Sequence, residues 1–320
     1  MAARASSILR RSLLYVPASS QKMLSKSLGL TTDNVTYDLE DSVTPSHKGS
    51  ARNQLKEHFS GLRSRPSTIS ELAVRINAVS TPYALDDLTA LSSAEHVDAV
   101  VVPKVNSAAD LIFVTDVLRH VAPERHQDGS TNPIKIIALI ESARAVMDLS
   151  SICTASPLLS GLIFAAEDFA LDLSITRTPS LTEFLYARSA IVTAARAYNL
   201  PSAIDLVCTS YRGDDGIRIL EEECKGGKAM GFNGKQCIHP GQLETVQRMF
   251  APDIKDVEWA VRVTIADERA AAAGRGAWTL DGKMIDAPVV GKARSITAKA
   301  EQCGIRVQDI REQWKDQEPE

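Results

Sequence analysis

Residues 134–168 read IKIIALIESARAVMDLSSICTASPLLSGLIFAAED. Two apolar runs, 134–140 and 161–165, flank a helix-forming stretch at 144–152. Apart from Lys135 the runs are continuously apolar rather than alternating, the pattern of strands covered on both faces. Acids follow each run: Glu141 after the first, Glu167 and Asp168 after the second.

The same unit repeats in both directions. Further strands are predicted at 12–16, 34–39, 72–76, 98–102, 203–207 and, more weakly patterned, 231–238. Helices are predicted between them at 21–28, 46–59, 83–91, 107–120, 181–198 and 213–226. Eight strands alternating with helices over about 240 residues point to a closed (β/α)₈ TIM barrel, residues 11–245. An open doubly wound sheet shares the local alternation and is the other reading. Active sites of such barrels lie at the C-terminal ends of the strands. Polar residues fall there: Glu40, Asp41, Arg75, Asn77, Lys104, Glu141, Glu167, Asp168, Asp205 and His239.

Beyond the barrel the pattern changes. A short helix between Pro240 and Pro252, a long Ala-rich helix at 255–273 and one more at 289–300 form a C-terminal helical extension, residues 246–303. It is too small for a strong core of its own and is expected to pack on the barrel or on another subunit. Residues 304–320 read as a frayed polar tail. Residues 1–10, rich in Ala, Ser and Arg, read as a tail or the remnant of a mitochondrial targeting segment.

Composition narrows the function. With 44% hydrophobic and 24% charged residues over 320 positions, the chain has the make-up of a globular protein. No apolar run approaches the ~18 residues of a membrane span. Its 36 basic against 40 acidic residues give −4, so no global charge draws it to nucleic acid. Five scattered cysteines without a C-x-x-C pair argue for a reducing compartment and against a zinc ribbon. No P-loop, no G-x-G-x-x-G after a strand and no G-x-S-x-G elbow occurs.

Glu141 and Asp168 end consecutive predicted strands, so their carboxylates can share one rim and hold a hard divalent cation such as Mg²⁺. Strand-end acids bonded to loop amides or to basic side chains are the alternative. Arg75 can grip a substrate carboxylate or a developing oxyanion, or form a rim ion pair with Glu40 or Asp41. Lys22 and Lys26 lie four apart on one helical face and can take phosphates, or simply be solvated. His239 precedes Pro240, where contact with a ligand or capping of the turn is expected before catalysis.

The strings RRSLLYVPASS, YDLEDSVTPSHKGSAR, VRIN, VVPKV, LIESARAV, IFAAEDFALDL, GFNGKQCIHPGQ and GAWTLDGKMID together resemble the citrate lyase β-subunit-like family of the aldolase/citrate lyase group, closest to its citramalyl-CoA lyase-like members. The resemblance runs in order from Arg11 to about Cys303. It implies a barrel of the phosphoenolpyruvate/pyruvate type and a reversible retro-Claisen lyase acting on a 3-hydroxyacyl-CoA, with citramalyl-CoA giving acetyl-CoA and the 2-oxo acid pyruvate. It implies Mg²⁺, with Mn²⁺ as a substitute, on Glu141 and Asp168, and Arg75 on the substrate carboxylate. Tyr15, Lys22, Lys26, Ile238 and His239 fall on the CoA side. Asp286 becomes the acid/base group, lent by the extension of a neighbouring subunit in a homotrimer or a multiple of it. A mitochondrial matrix location is expected, a cytoplasmic one being the alternative. Malyl-CoA or citryl-CoA lyase, malate synthase-like activity and a non-catalytic CoA-binding subunit of a citrate lyase complex are the rival readings. Ala18 and the pair Ala165–Ala166 stand where such proteins often carry glycine.

Overall fold

The computed structural model describes residues 8–91 and 94–320. Residues 1–7, most of the expected targeting remnant, lie outside them. The chain divides into two compact units between Arg248 and Met249.

The first unit is a closed barrel of eight parallel strands in sequence order: β1 (Ser12–Pro17), β2 (Thr32–Asp38), β3 (Ile69–Arg75), β4 (Ala99–Val102), β5 (Lys135–Ile140), β6 (Leu159–Phe164), β7 (Ser202–Asp205) and β8 (Gly234–Cys237). Closure is made by β1 on β8, with Leu13 opposite Gln236. The connecting helices are α1 (Gln21–Ser27), α2 (Lys48–Ser60), α3 (Ala84–Ala90), α4 (Ala108–Val121), α5 (Pro123–His126), α6 (Ala143–Met147), α7 (Leu149–Thr154), α8 (Ala166–Leu173), α9 (Leu185–Ala197) and α10 (Gly213–Met230), followed by α11 (Leu243–Phe250). The TIM barrel is therefore the fold, and the open sheet is excluded.

Alternation within the strands sorts the side chains. Leu13, Ala73, Ala99, Val101, Ile137, Leu139, Ile163 and Ile204 point inward and fill the lumen. Below them, where the strands begin, Arg10 is fully buried and bonds Glu71 through Nε (2.7 Å) and Nη2 (2.6 Å). Ser160 and Ser202 take its other donors. Arg10 thus belongs to the barrel floor and not to a tail, and the expected boundary at Arg11 is one residue late.

Two other expectations shift. Helix α8 is not among the expected helices: it begins one residue after β6, at an Ala165 N-cap without a capping side chain, and ends where Ser174 turns left-handed (φ 55°). The weak strand expected from 231 starts three residues later, because Gly231, at φ 99°, closes α10.

The second unit contains α12 (Ile254–Ala272), a hairpin of β9 (Trp278–Leu280) and β10 (Lys283–Ile285), α13 (Ala287–Gln302) and α14 (Val307–Gln313). Asp281 (φ 52°) and Gly282 (φ 71°) make the two-residue turn, both in the left-handed region that such hairpins require. Ala260, Val263, Ala266 and Ala270 of α12 pack on Trp278, Leu280, Ile285, Val290 and Ala293. A second cluster joins Val257, Val261 and Ile265 to Ala300 and Val307. The tail is not frayed: α14 lies in it, Arg262 sits 4.5 Å over the Trp314 ring, and Glu320 exchanges two backbone hydrogen bonds with Thr279.

Candidate active site

A cavity of about 450 Å³ opens at the C-terminal ends of the strands. Tyr15 and Pro17 reach it from β1, Asp38, Asp41 and Ser42 from the end of β2, and Arg75 from the end of β3. Leu139 comes from β5, the 165–168 segment from the start of α8, and Gln236 and Ile238 from β8 and its exit.

Arg75 dominates one side. Its Nε and Nη2 donate to the two carboxylate oxygens of Asp38, both at 2.7 Å. Nη1 lies 3.1 Å from Glu40 and 3.4 Å from Asp41, and the guanidinium stacks 4.6 Å over the Tyr15 ring. Burial opposes the charge on Arg75, but Asp38 and the neighbouring negative groups outweigh it and raise its pKa. Asp38 answers in kind: burial would raise its pKa, yet Arg75 holds it below the ordinary carboxylate value. The Tyr15 hydroxyl, driven up by desolvation, stays neutral and donates to Gln236 Oε1 at 3.0 Å.

The other side is anionic. Glu141 immediately follows β5 and is buried. Desolvation raises its pKa far above the ordinary range, and the adjacent Asp168 and Glu40 charges add to the rise. Its Oε1 accepts the backbone N–H of Lys104, a residue held at φ 51°. That left-handed conformation costs energy in a non-glycine residue and turns the amide toward the carboxylate. The Lys104 ammonium bonds Glu40 at 2.6 Å. Asp168 sits half-buried in the first turn of α8, not on a strand end as the sequence reading had it. Its neighbour Glu167 is held by Arg177 at 2.5 Å, and Arg177 also bonds Glu223 at 2.6 Å and the Val207 carbonyl at 3.1 Å.

Two carboxylates in contact, one of them desolvated and braced chiefly by an amide, suit a hard divalent cation with its remaining positions filled by water and substrate. Among the described residues no cluster of three or more His, Cys, Asp or Glu forms a closed metal site. The oxygen-only donors of Glu141 and Asp168 match Mg²⁺, whereas a structural zinc takes Cys and His.

Tyr15, Arg75, Asp168 and Ile238 thus meet around one cavity, and Glu141 touches Asp168 at its rim. Lys22 and Lys26 are exposed on α1, off the cavity wall. His239 caps the turn that follows it, accepting from the Gly241 N–H at 3.1 Å, and stacks on Tyr211 with centroids 4.8 Å apart. Asp286, in the second unit, caps α13 by accepting from the Val289 N–H at 3.2 Å. Two strand-end residues leave the rim: Asp205 is fully buried and paired bidentately with Arg188 of α9, and Asn77 is tied to Asp87. Parity explains the first, since Ile204 fills the lumen and the next side chain must face the helices. Glu40 and Lys104 stand beside Arg75 and Glu141 as their strand-end positions suggest, whereas Asp38 and Gln236, which also line the cavity, are not among the sequence candidates; the acid-rich string YDLED beside VRIN is the signal for Asp38.

A parallel barrel with acids and one arginine converging on a cavity at its C-terminal face defines an enzyme of the TIM-barrel class. Residues 11–240 match the HpcH/HpaI aldolase/citrate lyase family. Citrate lyase subunit beta of Haemophilus influenzae is 36% identical over 299 residues, covering 93% of this chain and 99% of that protein. The mitochondrial citramalyl-CoA lyase of Homo sapiens is 32% identical over 302 residues, covering 92% and 86%. A crystal structure of CitE from Mycobacterium tuberculosis in complex with magnesium, acetoacetate and coenzyme A superimposes with a TM-score of 0.71 at 29% identity, covering 93% of this chain and all of that one. The chain belongs to the HpcH/HpaI aldolase/citrate lyase family, and within it is a citrate lyase β-like enzyme of the oxo-acid lyase type.

Proposed function

We propose that this enzyme is a Mg²⁺-dependent acyl-CoA lyase that cleaves (3S)-citramalyl-CoA reversibly into acetyl-CoA and pyruvate. The observation that carries the reading is the contact between buried Glu141 and Asp168, opening on the same cavity as Arg75. Glu141 and Asp168 would hold the Mg²⁺, which when bound supplies Lewis-acid polarisation of the substrate hydroxyl and carboxylate. The bond that breaks joins the thioester's α-carbon to the carbinol carbon. The hydroxyl passes its proton through a water to the Asp286 carboxylate and becomes the pyruvate carbonyl, while the bonding pair passes to the acetyl-CoA enolate. Arg75, fixed by Asp38 and Tyr15, offers Nη1 to the substrate carboxylate and adds positive potential where charge grows.

The enolate carbon must then take a proton. Asp286 of a neighbouring subunit delivers it in this reading, which makes the active enzyme a homotrimer or a multiple of it. Lys22 and Lys26, side by side and exposed, take CoA phosphates, and Ile238 and His239 border the thioester's path. A mitochondrial matrix location draws support from the mitochondrial relative and the Ala/Ser/Arg-rich start.

The test is a turnover assay of the purified full chain on citramalyl-CoA with Mg²⁺, following pyruvate and acetyl-CoA release. EDTA should abolish turnover and excess Mg²⁺ should restore it; metal-independent turnover refutes the site as drawn. Malyl-CoA and citryl-CoA assayed in parallel rank the substrates by kcat/KM.

A further inference from the structure

Gln236 is a polar side chain in a largely apolar place. Its neighbour Lys235 points outward to Glu223 on α10, so by strand parity Gln236 faces the lumen. There it is 3% exposed, opposite Leu13 of β1, beside a filling of Leu, Ala, Val and Ile. A methionine would fill that volume without the desolvation an amide incurs.

Hydrogen bonds offset that cost and give the amide a direction. Nε2 donates to the carbonyls of Phe164 (2.9 Å) and Asp205 (3.2 Å), the last residues of β6 and β7, which uses both amide hydrogens. The flipped amide would set Oε1 against two carbonyl oxygens, so only one orientation is workable. Oε1 therefore faces Tyr15, and the Tyr15 hydroxyl must be the donor of their 3.0 Å bond.

That bond limits what Tyr15 can do. Its one proton is committed to Gln236, so the hydroxyl has none to give to a charge growing in the cavity. The ring is what acts there, with the Arg75 guanidinium 4.6 Å over its face. Asp38 grips the same guanidinium along its Nε–Nη2 edge. Two bonds along one edge allow tilting about it, and Nη1, which lies off that edge, would move furthest. The Tyr15 ring opposes the tilt.

We propose that Gln236 is a positioning residue: by tying Tyr15 to the ends of β6 and β7 it sets the plane of Arg75, and so the direction in which Nη1 meets a substrate carboxylate. The inference rests on the lyase reading above and adds to it a residue that acts through Tyr15.

The experiment is calorimetric titration of the Mg²⁺-supplemented protein with pyruvate, which reads binding without turnover, on the wild type, Tyr15→Phe, Gln236→Met and the double variant. Tyr15→Phe keeps the ring and both carbonyl bonds of Gln236 and cuts only the link between them. Pyruvate affinity should fall about 3–10-fold. Gln236→Met should lower it at least as much, and the double variant no further than Gln236→Met alone, because both changes remove one link. Unchanged affinity in Tyr15→Phe overturns the inference. Losses that multiply in the double variant also overturn it, since the Tyr15 hydroxyl would then meet the ligand itself. Should Gln236→Met fold poorly, Tyr15→Phe decides alone. Wild-type protein that does not bind pyruvate removes the lyase reading, and the inference with it.

Discussion

Arg10 and Arg75 are each held bidentately by a carboxylate in one barrel, Arg10 where the strands begin and Arg75 where they end. At the lower end the balance is closed. One Arg10 faces one Glu71, five hydrogen bonds account for the five N–H groups of the guanidinium, and Asn34 completes Glu71 at 2.6 Å. At the upper end Arg75 and Lys104 face Asp38, Glu40 and Asp41, and beside them Glu141 and Asp168 touch without a cation of their own. The lower arrangement fixes the strands; the upper one is left with excess negative charge that a metal cation can balance. A fully bonded ion pair and an unbalanced one thus separate structure from function within one fold.

The largest effect should come from breaking the closed end. Glu71→Ala leaves a guanidinium buried without its counter-charge, which typically costs ~3–5 kcal/mol. Asp41→Asn, at the open end, removes a half-exposed partner and should cost less than ~1 kcal/mol. Urea unfolding midpoints measure both, and equal losses would erase the distinction between the ends.

The converse holds for activity. Glu141→Gln or Asp168→Asn should lower kcat by about 10²–10³, roughly 3–4 kcal/mol of transition-state stabilisation. Neither should lower the urea midpoint near neutral pH, since Glu141 already keeps its proton there and each substitution removes one member of a pair that resists ionising together. Arg177→Gln should sit between the extremes. It frees Glu167 at the start of α8 and leaves Glu223 near the buried Lys235, so Mg²⁺ affinity by calorimetry should fall several-fold with a stability loss of about 1–2 kcal/mol.

How much of this was legible follows from which signals survive in one dimension. The eight strands were readable because burial on both faces writes an apolar run. β8 was the faintest because its GKQC carries Lys235, fully buried yet 2.9 Å from a Glu223 carboxylate on α10, a pairing no local pattern reveals. Glu141 and Arg75 were readable as charges closing apolar runs. Asp38 was masked because the strand expected at 34–39 runs one residue past the true end of β2, and Arg10 lay inside a segment whose composition suggests a tail. α8 lacks a capping side chain, so the helix that carries Asp168 left no mark. The hairpin of the second unit did leave one, the Asp-Gly pair in WTLDGKMI, which the all-helical reading of residues 246–303 passes over.

The finest discriminator is the pH dependence of stability, measured by urea unfolding with EDTA present, where one proton changes the slope by at most about 1.4 kcal/mol per pH unit. Burial would raise the pKa of Glu71, but Arg10 and Asn34 hold it below its ordinary value. Its contribution is therefore complete above about pH 4.3 and is lost as pH falls through the depressed folded-state value. Glu141 runs the other way. Desolvation, reinforced by Asp168 and Glu40, pushes it up to about 8. Between the ordinary carboxylate value and that point the folded chain keeps a proton that the unfolded chain has released, so stability falls as pH rises through the window. Glu71→Gln should flatten the acid limb alone, and Glu141→Gln the neutral slope alone. Adding Mg²⁺ should reverse that slope in the wild type, because the cation binds the deprotonated pair and stabilises the fold more as pH increases. A slope that ignores Mg²⁺ would show that the acids at the open end do not gather a cation, and the contrast between the two ends would then be one of hydration and not of function.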